Sequence, residues 1–127
     1  MADQSFKNVI NGELVDSASG ESYDIIDPTT GEVYAQAPRS GAEDVDRAYA
    51  AAESAFESWG QTTPQDRAHA LLKIAEAIEA RADEINAVEC KDTGKPFGLT
   101  MSEEMPYASD HFRFFAGAAS RSAWSAR

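Results

Sequence analysis

The sequence predicts an α+β chain in which short antiparallel β-hairpins are followed by three long amphipathic helices. Turn dipeptides punctuate residues 6–38 between short runs of alternating or locally apolar side chains. At Ser40 the apolar period changes from about two residues to about 3.6, the mark of a helix with one buried face. The β-α-β alternation that a dinucleotide-binding sheet requires is missing from this order of elements.

Within the β region, Asn11-Gly12 is a dipeptide that tolerates positive φ at both central positions of a type I′ turn. It separates Val9-Ile10 from Leu14-Val15, so a hairpin is expected there. Ser19-Gly20 and the run Pro28-Thr29-Thr30-Gly31 supply two further turns. They bracket Tyr23 to Ile26 and Val33 to Ala37, whose patterns suit half-buried strands.

The helical region is expected over residues 40–119. Ser40 and Glu43 stand in capping-box spacing, ahead of a face formed by Val45, Ala48, Tyr49, Ala52, Phe56 and Trp59, with Gly60 as a left-handed stop. Thr63-Pro64-Gln65-Asp66 then offers an N-cap, a proline at the first helical position and an acid near the positive helix end. The second helix carries a stripe from Ala68 to Val88, bends near Arg81 and ends at Thr93-Gly94 and Pro96. The third begins between Ser102 and Pro106 and presents Ala108, Phe112, Phe115, Ala116 and Ala119. Residues 120–127 lose periodicity and read as a loose end.

Composition narrows the class. The chain has 127 residues, 43% of them hydrophobic, which is enough for one compact unit. Its 22 acidic residues against 11 basic ones give a net charge of -11, which repels nucleic acid and anionic membrane. The N-terminus has no apolar signal region and no stretch is long and apolar enough to span a membrane, so a cytoplasmic protein is expected. The single Cys90 excludes an internal disulfide, and His69 and His111 share no ligand spacing, so no zinc is expected.

The chemistry-bearing motifs are sparse. Neither GxGxxG nor GxxxxGK[ST] is present, and Thr93-Gly94-Lys95 reads as a helix stop. Cys90 lies in the helical run AVECKD without a nearby histidine. It reads as a spectator thiol rather than as the nucleophile of a thiol-dependent enzyme. The pair Glu103-Glu104 stands where a helix is expected to begin, so it reads either as a cap or as an acidic attraction for a cationic ligand. On these grounds alone the chain could equally be a non-enzymatic, acidic helical interaction module that docks a partner through an apolar stripe.

Five blocks at matching intervals add a sharper reading. They are Ile10-Asn11-Gly12; Asp27-Pro28 with Thr30-Gly31; Trp59 with Pro64 and Arg67; Asp92-Thr93-Gly94-Lys95-Pro96; and Phe114-Phe115-Ala116-Gly117. Over residues 8 to 119 the chain resembles the N-terminal portion of the aldehyde dehydrogenase superfamily. The segments WGQTTP and FRFFAGAA resemble its betaine-aldehyde and aminobutyraldehyde type. That resemblance implies an α/β parent fold, of which residues 1–127 form the N-terminal part of the coenzyme-binding domain, and an NAD(P)-dependent oxidation of aldehydes to carboxylic acids.

In the family, a cysteine thiolate attacks the aldehyde, hydride passes to the nicotinamide, and a glutamate-activated water releases the acid. The resemblance places these groups, and the residues that hold NAD or NADP, beyond Arg127. No catalytic and no cofactor-binding residue is therefore expected in this chain, which should be catalytically silent alone. The resemblance does imply a K+ or Na+ site at the backbone carbonyl beside Ile26 and the carboxylate of Asp92, joined by a further carbonyl from the remainder of the dehydrogenase chain. It also implies a substrate-tunnel mouth at Glu103, Glu104 and Tyr107. The implied partners are the remainder of the dehydrogenase chain and an aldehyde substrate, in an enzyme that forms homo-oligomers, while the segment alone should self-associate. The ending SRSAWSAR departs from the family pattern, as a truncated or frameshifted gene would.

Overall fold

The computed structural model describes residues 4–121, and the chain divides into two compact units, Met1–Gln61 and Thr62–Arg127. The first unit contains five strands, β1 (Gln4–Ser5), β2 (Asn8–Ile10), β3 (Glu13–Val15), β4 (Ser22–Ile26) and β5 (Val33–Pro38), followed by α1 (Ala42–Trp59). β2 and β3 form the expected hairpin, with Val9 opposite Leu14. Its turn has φ of 54° at Asn11 and 77° at Gly12, so both central residues adopt the left-handed conformation that a type I′ turn demands.

β4 and β5 pair antiparallel around a turn that Asp27 organises. Its carboxylate accepts hydrogen bonds from the Thr29 amide at 2.8 Å and the Thr29 hydroxyl at 2.6 Å, while its own amide donates to the Glu32 carbonyl at 2.9 Å. One arrangement departs from the all-antiparallel expectation: β1 runs parallel to β5, giving a mixed sheet in the order β1-β5-β4. A two-residue strand is too short to show an alternation, so its pairing is decided by the exposed edge of β5.

α1 begins later than the Ser40–Glu43 spacing predicts. Gly41 is the N-cap and Asp44 supplies the acceptors, taking the Gly41 amide at 2.9 Å and the Ala18 amide at 2.9 Å. Ser40 instead donates to the Asn8 side-chain carbonyl at 3.1 Å. Asp44 is buried, and its carboxylate closes the helix end while tying down the β3–β4 loop. Gly60 also differs from expectation, being right-handed at φ -62°. Its small size matters for another reason: a Cβ there would approach the Phe56 carbonyl oxygen to 2.9 Å.

The second unit contains α2 (Pro64–Ala80), α3 (Ala82–Thr93), a single turn α4 (Phe97–Leu99), a π-helical turn over Thr100–Glu104, and α5 (Met105–Arg121). α2 opens on a reciprocal capping box. The Thr63 hydroxyl accepts from the Asp66 amide at 3.1 Å, and the Asp66 carboxylate accepts from the Thr63 amide at 3.1 Å. The expected bend falls at Arg81, whose φ of -118° and ψ of 20° separate α2 from α3. Gly94, at φ 74°, ends α3 with its amide on the Cys90 carbonyl at 2.9 Å.

The last helical run starts at Phe97, earlier than the interval Ser102 to Pro106 that the sequence suggests. Proline explains the disguise. Pro106 has no amide hydrogen, and its ring would clash with the carbonyl four residues back in a regular α-helix. The run widens instead, so that the Met105 amide reaches back five residues to the Thr100 carbonyl. Helix continues through Ser120 and Arg121, and the rest of the expected loose end lies outside the described residues.

α2 and α5 pack together as the centre of this unit, whose buried apolar residues, among those described, are Ala68, Ala75 and Ala116. Small side chains let two helix backbones approach closely. Asn86, fully buried, donates to the Phe97 carbonyl at 3.0 Å and so fastens α3 to the start of the final run. No helix among the described residues is long and apolar enough to cross a membrane.

Candidate functional site

The residues expected at a substrate mouth all fall on the final helical run. Glu103 and Glu104 lie in the π turn, and Tyr107, 64% exposed, follows in the first turn of α5. Because the run begins at Phe97, neither acid stands at a helix N-terminus, so the capping interpretation of this pair does not hold. Capping needs unsatisfied amides, and those belong to the first turn only.

Glu104 has a different role. Its carboxylate accepts from the Lys95 ammonium at 2.8 Å, and the same ammonium reaches Glu89 on α3 at 3.0 Å. Hydrogen bonds to Glu104 and then Glu89 hold the Lys95 pKa above its ordinary value. Glu103, by contrast, meets the Ser102 hydroxyl at 3.5 Å. Two adjacent carboxylates thus differ in electrostatic state: one is paired with a cation and the other faces solvent.

The other side of α5 is fastened to α2. Arg113 donates two bonds of 2.6 Å to the Glu79 carboxylate, and the buried Ser109 hydroxyl donates to the same group at 3.1 Å. Arg113 first, then Ser109, hold the Glu79 carboxyl below the usual range. This clasp fixes the rotation of α5 and with it the side on which Glu103 and Tyr107 are exposed. Sequence periodicity does not reveal Lys95, Glu89, Glu79 or Arg113 as partners, because their pairings cross between elements and follow no helical spacing.

The remaining candidates lie on several elements. Ile26 ends β4 in the first unit, whereas Asp92 lies in the last turn of α3 in the second. Cys90 is half-buried and its thiol points to the Asn86 side-chain carbonyl at 3.8 Å. His69 and His111 are exposed on α2 and α5. Among the described residues no three His, Cys, Asp or Glu side chains gather as metal ligands.

The β5–α1 turn does not fit a dinucleotide pyrophosphate. The β5–α1 turn leads from strand to helix but carries the single glycine Gly41, and the start of α1 is already occupied by the Asp44 carboxylate. A pyrophosphate at that helix end would meet a fixed negative charge rather than open amides.

Residues 14–126 match the profile of the aldehyde dehydrogenase family. The chain is 46% identical over 117 residues to aldehyde dehydrogenase 1 of Tanacetum cinerariifolium, covering 91% of this chain and 23% of that protein. Among solved structures it is similar to HpcC from Thermus thermophilus, with a TM-score of 0.89 and 39% identity, over 94% of this chain and 23% of that one. It is also similar to the NAD+ complex of an aldehyde dehydrogenase from Bacillus cereus, with a TM-score of 0.86 and 35% identity, over 89% of this chain and 23% of that one. The chain therefore spans a little under a quarter of the length of these relatives.

Proposed function

The chain belongs to the aldehyde dehydrogenase family, and from that premise we propose that it serves as the N-terminal segment of an NAD(P)-dependent enzyme that oxidises aldehydes to carboxylic acids. The observation that carries this reading is the match over residues 14–126. When bound, the nicotinamide accepts the hydride. This segment's part is to cover the coenzyme-binding domain and shape the approach to the reacting aldehyde, in a cytoplasmic, homo-oligomeric enzyme.

The preferred substrates in this reading carry an amino or quaternary ammonium group. Glu103, Glu104 and Tyr107 stand near the tunnel mouth, where carboxylates attract a cation and a tyrosine ring face adds a cation–π contact of about 0.5 to 2 kcal/mol. All three side chains are exposed on one helical run, which supports the reading. In the whole enzyme a monovalent cation, K+ or Na+, would take the backbone carbonyl beside Ile26, the Asp92 carboxylate and a further carbonyl from the rest of the dehydrogenase chain, since hard cations prefer oxygen ligands.

The test has two arms. The 127-residue chain, incubated with 4-aminobutyraldehyde and NAD, should produce no reduced cofactor, and turnover that disappears on Cys90→Ser would overturn the proposal. A full-length relative carrying this segment in place of its own should oxidise aldehydes. A folded, oligomeric chimera without activity would equally overturn it.

A further inference from the structure

We propose that Lys95 is a specificity-determining residue: it neutralises Glu104 in place and leaves Glu103 as the carboxylate that meets a cationic aldehyde. This inference rests on the reading that the final helical run borders the substrate entrance.

The geometry begins at Gly94. Its left-handed conformation, φ 74°, turns the chain back on α3 immediately before Lys95. The Lys95 side chain then lies between two elements, with its ammonium 3.0 Å from Glu89 on α3 and 2.8 Å from Glu104 in the π turn. An ammonium shared by two carboxylates cancels one of their two charges. An incoming ammonium group would have to compete with a tethered one for Glu104, and the tethered group has the advantage of high local concentration.

Among the described residues Glu103 has no such competitor. Its one described bond is the 3.5 Å contact with the Ser102 hydroxyl, a neutral partner. It stands one helical turn before the exposed Tyr107, so a carboxylate and an aromatic ring are presented together on the same run. The π turn sets both relationships, because it carries Glu104 to Lys95 and leaves Glu103 exposed.

The expected consequence is a division of labour between adjacent acids. Glu103 should favour cationic substrates, and Lys95 should hold that preference down. In a full-length enzyme carrying this segment, the ratio of kcat/KM for 4-aminobutyraldehyde to kcat/KM for butyraldehyde reads this directly. Lys95→Met should raise the ratio by about two- to fivefold, the size that exposed charge pairs support, and Lys95→Arg should restore it. Glu103→Gln should lower it by a similar factor, and Glu104→Gln should change it less than Glu103→Gln does. Added salt should compress all these differences.

A Lys95→Met ratio equal to that of the parent, with Glu103→Gln still lowering it, would overturn the role of Lys95 while the acidic-entrance reading stood. A fall with Glu104→Gln alone would overturn the division of labour. No change in any of the glutamate variants would remove the acidic-entrance reading itself. If Lys95→Met unfolds by circular dichroism, Lys95→Gln replaces it, and a restored ratio in Lys95→Arg remains the deciding comparison.

Discussion

At the scale of single residues, the polar groups that matter are those bonded across elements. Glu79 is half-exposed yet receives three hydrogen bonds from α5, and these hold its carboxyl below the ordinary range. A lowered folded pKa means that the unfolded chain binds the proton more tightly. The stability that Glu79 contributes is therefore complete above the ordinary glutamate pKa and is lost as pH falls through the lowered folded value. Glu79→Gln should destabilise the chain most near about pH 7, and the gap from the parent should narrow toward about pH 3 as the Glu79 carboxyl takes up its proton. Denaturant unfolding at the two pH values checks this. A constant gap would assign the role of Glu79 to packing instead. None of this is visible in sequence, because a glutamate on α2 has no local signature that points to an arginine on α5.

At the scale of elements, local chemistry was legible where it is self-contained. The Asn11-Gly12 hairpin, the Thr63 box and the Gly94 stop each involve a few consecutive residues, and each appears where its dipeptide or spacing places it. Thr63→Ala removes the acceptor of the Asp66 amide and should cost about 1 kcal/mol in unfolding free energy, with Thr63→Ser recovering most of it. Chemical denaturation measures both, and an unchanged Thr63→Ala would show that α2 is held by its packing on α5 rather than by its cap. The failures have a common cause. Ser40 and Glu43 have the right spacing for a cap, but Asp44 wins because the Ala18 amide adds a second donor from another element. Pro106 was legible only as a limit on where the third helix begins. That it lies instead within a longer helical run, behind a π turn, depends on whether the preceding residues have somewhere to pack.

At the scale of the molecule, the buried apolar residues of the described chain are Ala35, Ala68, Ala75 and Ala116, all small. Larger ones remain exposed, including Leu14 at 72%, Tyr49 at 74%, Phe56 at 69% and Phe114 at 71%. Each large apolar side chain left in water forgoes roughly 1.5–3 kcal/mol of burial. The isolated chain should therefore bind a hydrophobic dye and associate with rising concentration, as exposed patches do. Light scattering and dye fluorescence test this. A monomer that melts cooperatively without binding dye would show that the chain makes a sufficient core of its own.

Residue order alone determined the succession of β-hairpins and amphipathic helices, the turn chemistry and the family, because these depend on spacing within short windows and on blocks that recur at fixed intervals. Tertiary structure decided that β1 joins β5 in parallel, that Asp44 rather than Glu43 closes α1, and that Lys95 separates the electrostatic states of Glu103 and Glu104. Those outcomes turn on which distant groups come within hydrogen-bonding reach. Periodicity reports which face of an element is apolar, but not what that face or its flanking charges will meet.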